Sequence, residues 1–334
     1  MTGKIKIGDK WIGEGDPTLI IAEVGSNHDG KLEQARQLID VAADSGADAV
    51  KLQLFKAENL YSKNDSMFAT MKANELPQEW VRELAAYAKS RSLMFLASPF
   101  DEESIDNLHK VGVPAYKWAS SETVNLPLLR YAASKKKPML ISTGMCDLAD
   151  VNAAVEVVHA TGNQDIILLH CTSLYPAKPH QVNLRMMDTM RDAFHLPVGL
   201  SDHTLGFVIA AAAVARGACI IEKHFTLSRK LKGPDHAYSL EPDELKQMVK
   251  AVREVEASLG SPIKDILLEE KGAARRESVV AAVNIPKGTT LIRDMILVKR
   301  PAFGIKPRFL DVVIGAEAKR DIEQGEPITW DMLL

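Results

Sequence analysis

Short apolar segments and longer amphipathic segments alternate along most of the chain. Eight apolar segments have the length and composition of β-strands: 19–24, 49–54, 93–97, 115–119, 138–142, 166–171, 198–200 and 219–221. Helical periodicity lies between or after them, as in 32–46, 80–90, 147–162, 207–216 and 242–260. Eight strand–helix repeats within about 240 residues predict an α/β protein with a (β/α)₈ TIM barrel. A doubly wound open sheet is the alternative, but no glycine-rich phosphate-binding sequence follows the first strand.

Segment 197–226 places two histidines at equivalent points of this pattern. Its two apolar runs end in Ser201-Asp202-His203 and in Glu222-Lys223-His224, and an alanine-rich helix that ends at Gly217 separates them. A strand–helix–strand unit makes the two strands parallel neighbours, so both histidines lie at carboxyl ends of adjacent strands. An isolated histidine is usually an ordinary core or surface residue. The matched pair instead predicts that His203 and His224 share one divalent metal ion.

The pattern divides the chain into a large and a small domain. Residues 1–260 form the predicted barrel domain, and residues 1–16 within it form a hairpin that caps the bottom of the barrel. Helical periodicity stops after residue 260, and 261–276 is a charged, mixed segment that we interpret as a linker. Residues 277–334 contain short strand-like runs, including 321–329, and tight turns. Within them, NIPKGTTLIRDMI (284–296) and DIEQGEPITWDML (321–333) resemble each other and indicate a small internal duplication.

Composition places the protein in an ordinary globular class. The 334 residues are 46% hydrophobic and 25% charged, and the net charge of −3 gives no reason to expect a nucleic-acid or anionic-membrane partner. No apolar run reaches the roughly 18 residues that span a bilayer. The three cysteines, Cys146, Cys171 and Cys219, are too few and too scattered for a disulfide framework. We therefore expect a cytoplasmic protein.

Two lysines lie within predicted barrel strands, where an unpaired ammonium group is costly. Lys51 and Lys117 come from even-numbered strands, whose inward side chains share layers of a barrel. With the serines at the strand ends, they predict a site for a doubly charged anion such as a phosphate ester. Two other interpretations remain open: a Schiff-base lysine, or structural lysines paired with Glu23 or Glu122.

Nine short motifs at the predicted strand ends occur in an order that resembles one known family. They are IAEVGSNHDG, VKLQ, ASPF, YKWASSE, STGM, HCTSLYP, LSDHT, EKHFT and KGPDHA. The chain resembles the sialic acid synthase (nonulosonate synthase, NeuB-like) family over nearly its whole length. The last domain, with VKRP at 298–301, resembles the family's antifreeze-like (SAF) domain. The resemblance implies condensation of phosphoenolpyruvate with an N-acylated hexosamine and release of phosphate.

The resemblance also implies a role for each matching residue. His203 and His224 correspond to metal ligands, usually for Mn²⁺, with Mg²⁺ or Co²⁺ as other choices, and Glu23, Glu122 and His203 correspond to catalytic residues. The phosphoenolpyruvate contacts correspond to Lys51, Ser98, Lys117, Ser120, Ser142, Ser173 and Ser201. The sugar contacts correspond to Gln53, Tyr175, Asp235 and Arg300.

The resemblance favours N-acetylmannosamine as the sugar, giving N-acetylneuraminate, with legionaminate or pseudaminate synthesis from a 6-deoxy diacetamido hexose as the alternative. Two departures from the neuraminate pattern bear on this choice: Ser173 replaces an asparagine, and Ser121 replaces a glycine before Glu122. The resemblance further implies a domain-swapped homodimer in which Arg300 completes the partner's pocket. A more distant alternative is a Schiff-base aldolase that uses Lys51 or Lys117. A non-enzymatic carbohydrate-binding protein is a third class.

Overall fold

The computed structural model describes residues 3–272 and 275–334. Contacts within the chain divide it into one unit that ends at Gly260 and a second that begins at Ser261. The predicted linker 261–276 includes residues 273 and 274, which lie outside the described residues. Among the residues that are described, none of the helices combines the length and apolar content needed to cross a bilayer.

The first unit begins with a two-stranded hairpin and continues with eight parallel strands. In chain order these strands are β1 (Ile5–Ile7), β2 (Lys10–Ile12), β3 (Leu19–Gly25), β4 (Ala49–Leu54), β5 (Met94–Pro99), β6 (Tyr116–Trp118), β7 (Met139–Ser142), β8 (Ile166–Cys171), β9 (Val198–Asp202) and β10 (Ile220–His224). The hydrogen-bonded order of the large sheet is β5-β4-β3-β10-β9-β8-β7-β6. Because β3 pairs with β10, the sheet curls into a nearly closed barrel. Its two edge strands, β5 and β6, are not joined by a hydrogen-bonded ladder. The predicted TIM-barrel fold is confirmed.

Helices connect the strands and cover the outside of the barrel. They are α1 (Leu32–Asp44), α2 (Ala57–Leu60), α3 (Phe68–Ala73), α4 (Trp80–Ser90), α5 (Glu102–Val111), α6 (Leu126–Ser134), α7 (Leu148–Ala160), α8 (Pro179–Val182), α9 (Met186–Phe194), α10 (Val208–Ala215) and α11 (Pro242–Leu259), with short 3₁₀ turns at Ser120–Glu122 and His236–Tyr238. Local sequence sets their ends. The Asp101 carboxylate accepts a hydrogen bond from the Ser104 N–H at 2.7 Å to begin α5, and Gly112 ends it with a left-handed φ of +82°.

The interior of the barrel changes from apolar to polar along its axis. Isoleucines of the β1–β2 hairpin pack into its lower part. This part is an apolar cluster of Ile5, Ile7, Ile12, Leu19, Ile21, Ala49, Leu96, Ala115, Leu140, Ile167, Leu169, Cys219 and Ile220. Inward positions recur every second residue of a strand. Two residues beyond Ile21 comes Glu23, and two residues beyond Ile220 comes Glu222. The carboxyl ends of the strands therefore carry the polar side chains, above a closed apolar base.

The second unit contains short helices, a strand pair and an internal repeat. Its elements are α12 (Leu268–Gly272), β11 (Ser278–Ala281), β12 (Ile296–Lys299) and α13 (Leu310–Val313), with 3₁₀ turns at Arg293–Met295, Pro307–Phe309 and Trp330–Met332. The two similar sequences adopt the same succession of bridge, glycine turn, bridge and 3₁₀ turn. Ile285 and Ile322, which occupy equivalent positions, exchange both main-chain hydrogen bonds, at 2.8 and 2.9 Å. The sequence similarity therefore has a structural counterpart.

Candidate active site

A small cavity of ≈ 50 Å³ lies inside the barrel at the carboxyl ends of the strands. Fourteen side chains line it, from all eight strands of the barrel or the residues that follow them: Glu23, Lys51, Gln53, Ser98, Lys117, Ala119, Ser120, Ser142, Cys171, Tyr175, Ser201, His203, Glu222 and His224. Nearly all of them are polar. A barrel interior at this level is thus built to hold a polar ligand rather than to pack a core.

Two lysines and two glutamates form a buried ionic cluster in this cavity. The Lys51 ammonium lies 3.0 Å from Glu23 Oε2 and 3.8 Å from Glu222 Oε2, and it donates a hydrogen bond to Ser98 Oγ at 3.1 Å. The Lys117 ammonium lies 3.3 Å from Glu222 Oε1, which also accepts a hydrogen bond from Ser201 Oγ at 3.0 Å. The structure therefore pairs Lys51 with Glu23, as one of the open interpretations held, and pairs Lys117 with Glu222 rather than Glu122.

The cluster shifts the pKa values of its members in opposite directions. Burial raises the pKa of Glu23 and outweighs the opposing effect of Lys51. Burial acts the same way on Glu222, but there Lys117 and Lys51 outweigh it and hold the pKa well below its usual value. Burial also lowers the pKa of Lys117, against the attraction of Glu222. Glu222 is thus the counter-ion of both Lys51 and Lys117. Glu23, whose pKa is raised, is the member of the cluster best suited to hold a proton.

Several polar atoms around this cavity lack the hydrogen bonds that buried groups normally make. Among the described residues, seven buried side-chain oxygen or nitrogen atoms have no hydrogen-bond partner. Four of these seven belong to residues that line the cavity: Glu23 Oε2 and Glu222 Oε2, whose nearest charged neighbour is the Lys51 ammonium at 3.0 and 3.8 Å, together with Ser142 Oγ and His224 Nδ1. A larger cavity of ≈ 670 Å³ at the amino end of the barrel has no such concentration. Unused donors and acceptors therefore mark the carboxyl end as the place where a ligand binds.

The two histidines lie side by side, as the strand pattern predicts. Their ring centres are 5.4 Å apart. His203 Nδ1 lies 3.0 Å from the Thr172 carbonyl oxygen, so Nδ1 carries the proton of that hydrogen bond and Nε2 keeps its lone pair. Burial lowers the pKa of His224 to about 3, which leaves this imidazole neutral near pH 7.

The distance between the two histidine rings is compatible with a shared metal ion. Metal–nitrogen bonds are about 2.1 Å long, so two imidazoles on one ion have ring centres within about 6.5 Å of each other. His203 Nε2 and the unpartnered His224 Nδ1 are the nitrogen atoms that would bind such an ion. Within the described ranges, no group of three or more His, Cys, Asp and Glu side chains has metal-binding geometry. The pair would therefore form an open site, with its remaining positions available to substrate and water.

Gly25 is required where β3 leaves the sheet beside His224. Its φ is +55°, and a Cβ atom at this position would lie 2.5 Å from Asp235 Oδ2 and 3.0 Å from His224 Nδ1. The missing side chain lets the Asp235 carboxylate accept a hydrogen bond from the Ser26 N–H at 2.8 Å. Tyr238 donates to the other Asp235 oxygen at 2.7 Å. Asp235 is thus held in a fixed position beside the histidine pair.

A second buried ion pair joins β9 and β10 on the face of these strands that points away from the cavity. Asp202 and Lys223 precede the histidines and point away from the cavity, and their charged atoms lie 2.7 Å apart. Both side chains are only 1% exposed. Asp202 Oδ1 also accepts hydrogen bonds from the N–H and the hydroxyl of Thr204, at 2.9 and 2.8 Å. This network fixes β9 and β10 relative to each other at the point where they present His203 and His224.

The small cavity opens into a wider cleft of ≈ 610 Å³ at the barrel mouth. Its polar lining includes Ser26, Gln53, Ser120, Ser121, Glu122, Ser173, Asp235 and the exposed Tyr175. Glu122 is partly exposed and accepts a hydrogen bond from Asn125 Nδ2 at 3.2 Å. Of the fifteen site residues proposed from the sequence, fourteen line the cavity or the cleft. Arg300 lies in the second unit, directly after β12, and its place in any site stays a prediction.

Sequence analysis assigned no role to several residues of the site. Glu222 is the most important, because it is the counter-ion of both lysines. Its i, i+2 spacing from His224 already placed it on the inward face, so alternation alone could have included it. Cys171, whose Sγ lies 3.7 Å from His203 Nδ1, and Tyr238 carried no comparable signal.

Comparison with known proteins identifies the family. Residues 38–264 match the model of the NeuB family, and residues 276–334 match that of the SAF domain. The chain belongs to the NeuB family. The resemblance noted from the nine motifs is therefore confirmed, and so is the SAF identity of the C-terminal part.

Relatives of this NeuB-family protein carry different sugar names. An N,N'-diacetyllegionaminic acid synthase of Legionella pneumophila is 40% identical, over 97% of each chain. The human N-acetylneuraminate-9-phosphate synthase is 37% identical, over 97% of this chain and 95% of that protein. Among solved structures, an N-acetylneuraminic acid (sialic acid) synthetase of Leptospira borgpetersenii superposes with a TM-score of 0.78 and 34% identity, covering 82% of this chain and 95% of that one. The family is a family of nonulosonate synthases, and the relatives leave the sugar open.

Proposed function

We propose that this NeuB-family protein condenses phosphoenolpyruvate with the open-chain form of an N-acylated hexosamine, consuming water and releasing phosphate to give a nonulosonic acid. The observation that carries the proposal is a cavity at the barrel's carboxyl end in which two buried ammonium groups lie beside polar atoms that make no hydrogen bond, among them Ser142 Oγ and His224 Nδ1. Such a site is complete only with an anion and a polar partner molecule in it.

The ionic cluster supplies the phosphoenolpyruvate site. Lys51 and Lys117 both lie beside Glu222, and burial raises the pKa of Glu23, so protonation of Glu23 would leave two ammonium groups facing one carboxylate. The excess positive charge attracts the phosphate and carboxylate groups of phosphoenolpyruvate. Hydroxyl groups proposed as additional donors surround it: Ser98, Ser120, Ser142, Ser173 and Ser201.

The other reactant enters beside the histidines. A divalent ion, Mn²⁺ by preference, would be held by His203 and His224 and would act as a Lewis acid on the sugar's aldehyde oxygen. Carbon 3 of phosphoenolpyruvate then forms a bond to the aldehyde carbon, water adds at carbon 2, and the C–O bond to phosphate breaks. Glu23 can hold a proton near the aldehyde, and Glu122 at the mouth can take the proton of the incoming water. Gln53, Tyr175 and Asp235 orient the sugar.

A phosphate-release assay tests this proposal. We expect phosphate from phosphoenolpyruvate only when an N-acyl hexosamine is present, and we expect chelation to reduce the rate to background until Mn²⁺ is added. His203→Ala should lose Mn²⁺ binding as measured by electron paramagnetic resonance, with phosphoenolpyruvate binding largely retained. Full activity of His203→Ala with chelator present would contradict the metal assignment, and no phosphate release with any acceptor would contradict the reaction.

The lowered pKa of Lys117 also supports one rival reaction, a Schiff-base aldolase. That reaction would form an imine between Lys117 and a keto acid such as pyruvate. Borohydride reduction in the presence of pyruvate, followed by mass spectrometry, separates the two mechanisms. We expect no adduct, because the proposed synthase reaction uses the Lys117 ammonium, 3.3 Å from Glu222, as a positive charge and not as a nucleophile.

We also propose that the protein works as a domain-swapped homodimer in which Arg300 contacts the sugar bound to the partner. Support comes from the match of residues 276–334 to the SAF domain and from the VKRP motif. Arg300→Ala and Glu122→Ala should each be inactive. If the arginine acts across the dimer, mixing the two proteins with subunit exchange creates sites that carry neither lesion, and activity should return. A mixture that stays inactive after exchange, verified by native mass spectrometry, would place Arg300 in its own chain's site.

A further inference from the structure

The cleft at the barrel mouth has an apolar sector that the proposed reaction does not use. It is formed by Phe55, Leu60, Met67, Met71, Phe100 and Met145, and the Tyr61 ring lines the cleft in the same connection. Five of the six belong to the connection after β4 or follow β5, so they lie in neighbouring sectors of the mouth. Asp235 and Ser26 come from the β10 and β3 loops. The cleft is therefore polar at one part of its rim and apolar at another.

Side-chain contacts hold the segment that carries most of the apolar sector in place. Several polar side chains of segment 55–73, which carries α2 and α3, are held by contacts with one another or with nearby residues. Asn59 donates a hydrogen bond to Asp101 at 2.9 Å, and Lys72 pairs with Glu58 and Glu75 at 2.9 and 3.0 Å. Leu60, Met67 and Met71 are left to line the cleft.

The rings at the base of this sector are packed against each other. Phe55 and Phe100 meet edge to face, with ring centres 5.9 Å apart, and Phe55 is buried. Above them Met67 remains 41% exposed. Apolar surface with no covering side chain at the mouth of a site is suited to the apolar part of a ligand.

A sugar that lies against this sector is selected by its substituents. Burying a hydroxyl group there without a hydrogen-bond partner is unfavourable, whereas burying a methyl group is favourable. N-acetylmannosamine carries hydroxyls at carbons 4 and 6. In a 6-deoxy sugar with a second acetamido group, carbon 6 is itself a methyl group, and the acetamido group on carbon 4 ends in a methyl group beyond its polar amide.

We propose that Leu60, Met67 and Met71, supported by Phe55 and Phe100, are specificity-determining residues that select a 6-deoxy, doubly N-acylated hexose over N-acetylmannosamine. This inference rests on the proposed synthase reaction. It means that part of the sugar is recognised by apolar residues and not by the polar residues of the nine motifs. The sector accepts the carbon 6 methyl and the second acyl methyl, while the polar rim holds the first acylamino group and the aldehyde.

The test compares acceptors at saturating phosphoenolpyruvate. We expect kcat/KM for 2,4-diacetamido-2,4,6-trideoxymannose to exceed that for N-acetylmannosamine by about 10- to 100-fold, the range that an apolar pocket achieves against an added hydroxyl. 2-Acetamido-2,6-dideoxymannose should fall between them. Met67→Gln and Met71→Gln, which keep side-chain length, should together reduce the preference about 10-fold and leave KM for phosphoenolpyruvate unchanged.

Met186→Gln in α9, an exposed methionine that does not line the cleft, is the matched control and should keep the wild-type preference. Equal or better use of N-acetylmannosamine by the wild type would overturn the inference and leave the synthase reaction standing. An unchanged preference in the folded double variant would also overturn it. Absence of phosphate release with all three sugars would instead overturn the reaction itself.

Discussion

Lys117→Ala should lose about 100-fold or more in kcat/KM for phosphoenolpyruvate, mainly through a higher KM. The Lys117 ammonium is 3% exposed and faces the cavity, so its charge acts in a poorly solvated environment. Removing one partner of a buried charge pair costs about 2–5 kcal/mol, part of which is the penalty for the charge left behind. Here that charge is Glu222, which would retain only Lys51, at 3.8 Å.

Steady-state kinetics and thermal melts with inorganic phosphate measure this effect. Phosphate should raise the Tm of the wild type and have little effect on Lys117→Ala. Lys110→Ala, which removes an exposed lysine at the end of α5, serves as the control and should behave as wild type. Unchanged kinetics in the Lys117 variant would make this lysine a structural residue only.

Lys223→Met should lower the free energy of unfolding by about 3–5 kcal/mol, the cost of breaking a buried ion pair by removing one partner. Asp202 would keep its charge and its two hydrogen bonds to Thr204 but lose the ammonium 2.7 Å away. The double variant Asp202→Leu/Lys223→Met should recover much of the loss, because no isolated charge then remains in the interior.

Urea denaturation at neutral pH measures both variants. The exposed pair Lys250–Glu254, with atoms 3.7 Å apart and both side chains more than two-thirds exposed, offers the matched control. Lys250→Met should change stability by less than about 0.5 kcal/mol. A loss below 1 kcal/mol in Lys223→Met would mean that the pair contributes little beyond the packing of its methylene groups.

The barrel was predictable from sequence because hydrophobic periodicity reports burial directly. The structure has β4 and β8 at the predicted bounds, 49–54 and 166–171. Strands β9 and β10 extend further than predicted, to Asp202 and His224. An apolar run ends at the first polar residue, but backbone pairing continues through inward polar residues that line a site. The underestimated strand ends are thus where the candidate site begins.

Other features depend on register and on three-dimensional context. The pairing of Lys117 with Glu222 joins residues on β6 and β10, and no spacing along the chain reveals it. Helices α2 and α3 have only four and six residues, too few to show a helical period. In the second unit, the predicted strand at 321–329 contains only bridges at Ile322 and Pro327, since proline cannot donate to a ladder.

The reciprocal hydrogen bonds between Ile285 and Ile322 give the second unit an approximate two-fold axis, with equivalent residues 37 positions apart facing each other. In a symmetric dimer such a contact is isologous, and it depends on protein concentration. Here one chain carries both copies, so the contact forms at a fixed effective concentration. Buried residues come in matched pairs across the axis, as with Leu291 and Ile328. The unit therefore resembles a dimer within one chain. Surface residues of its two halves can differ in sequence, whereas the buried residues that meet across the axis have to remain similar.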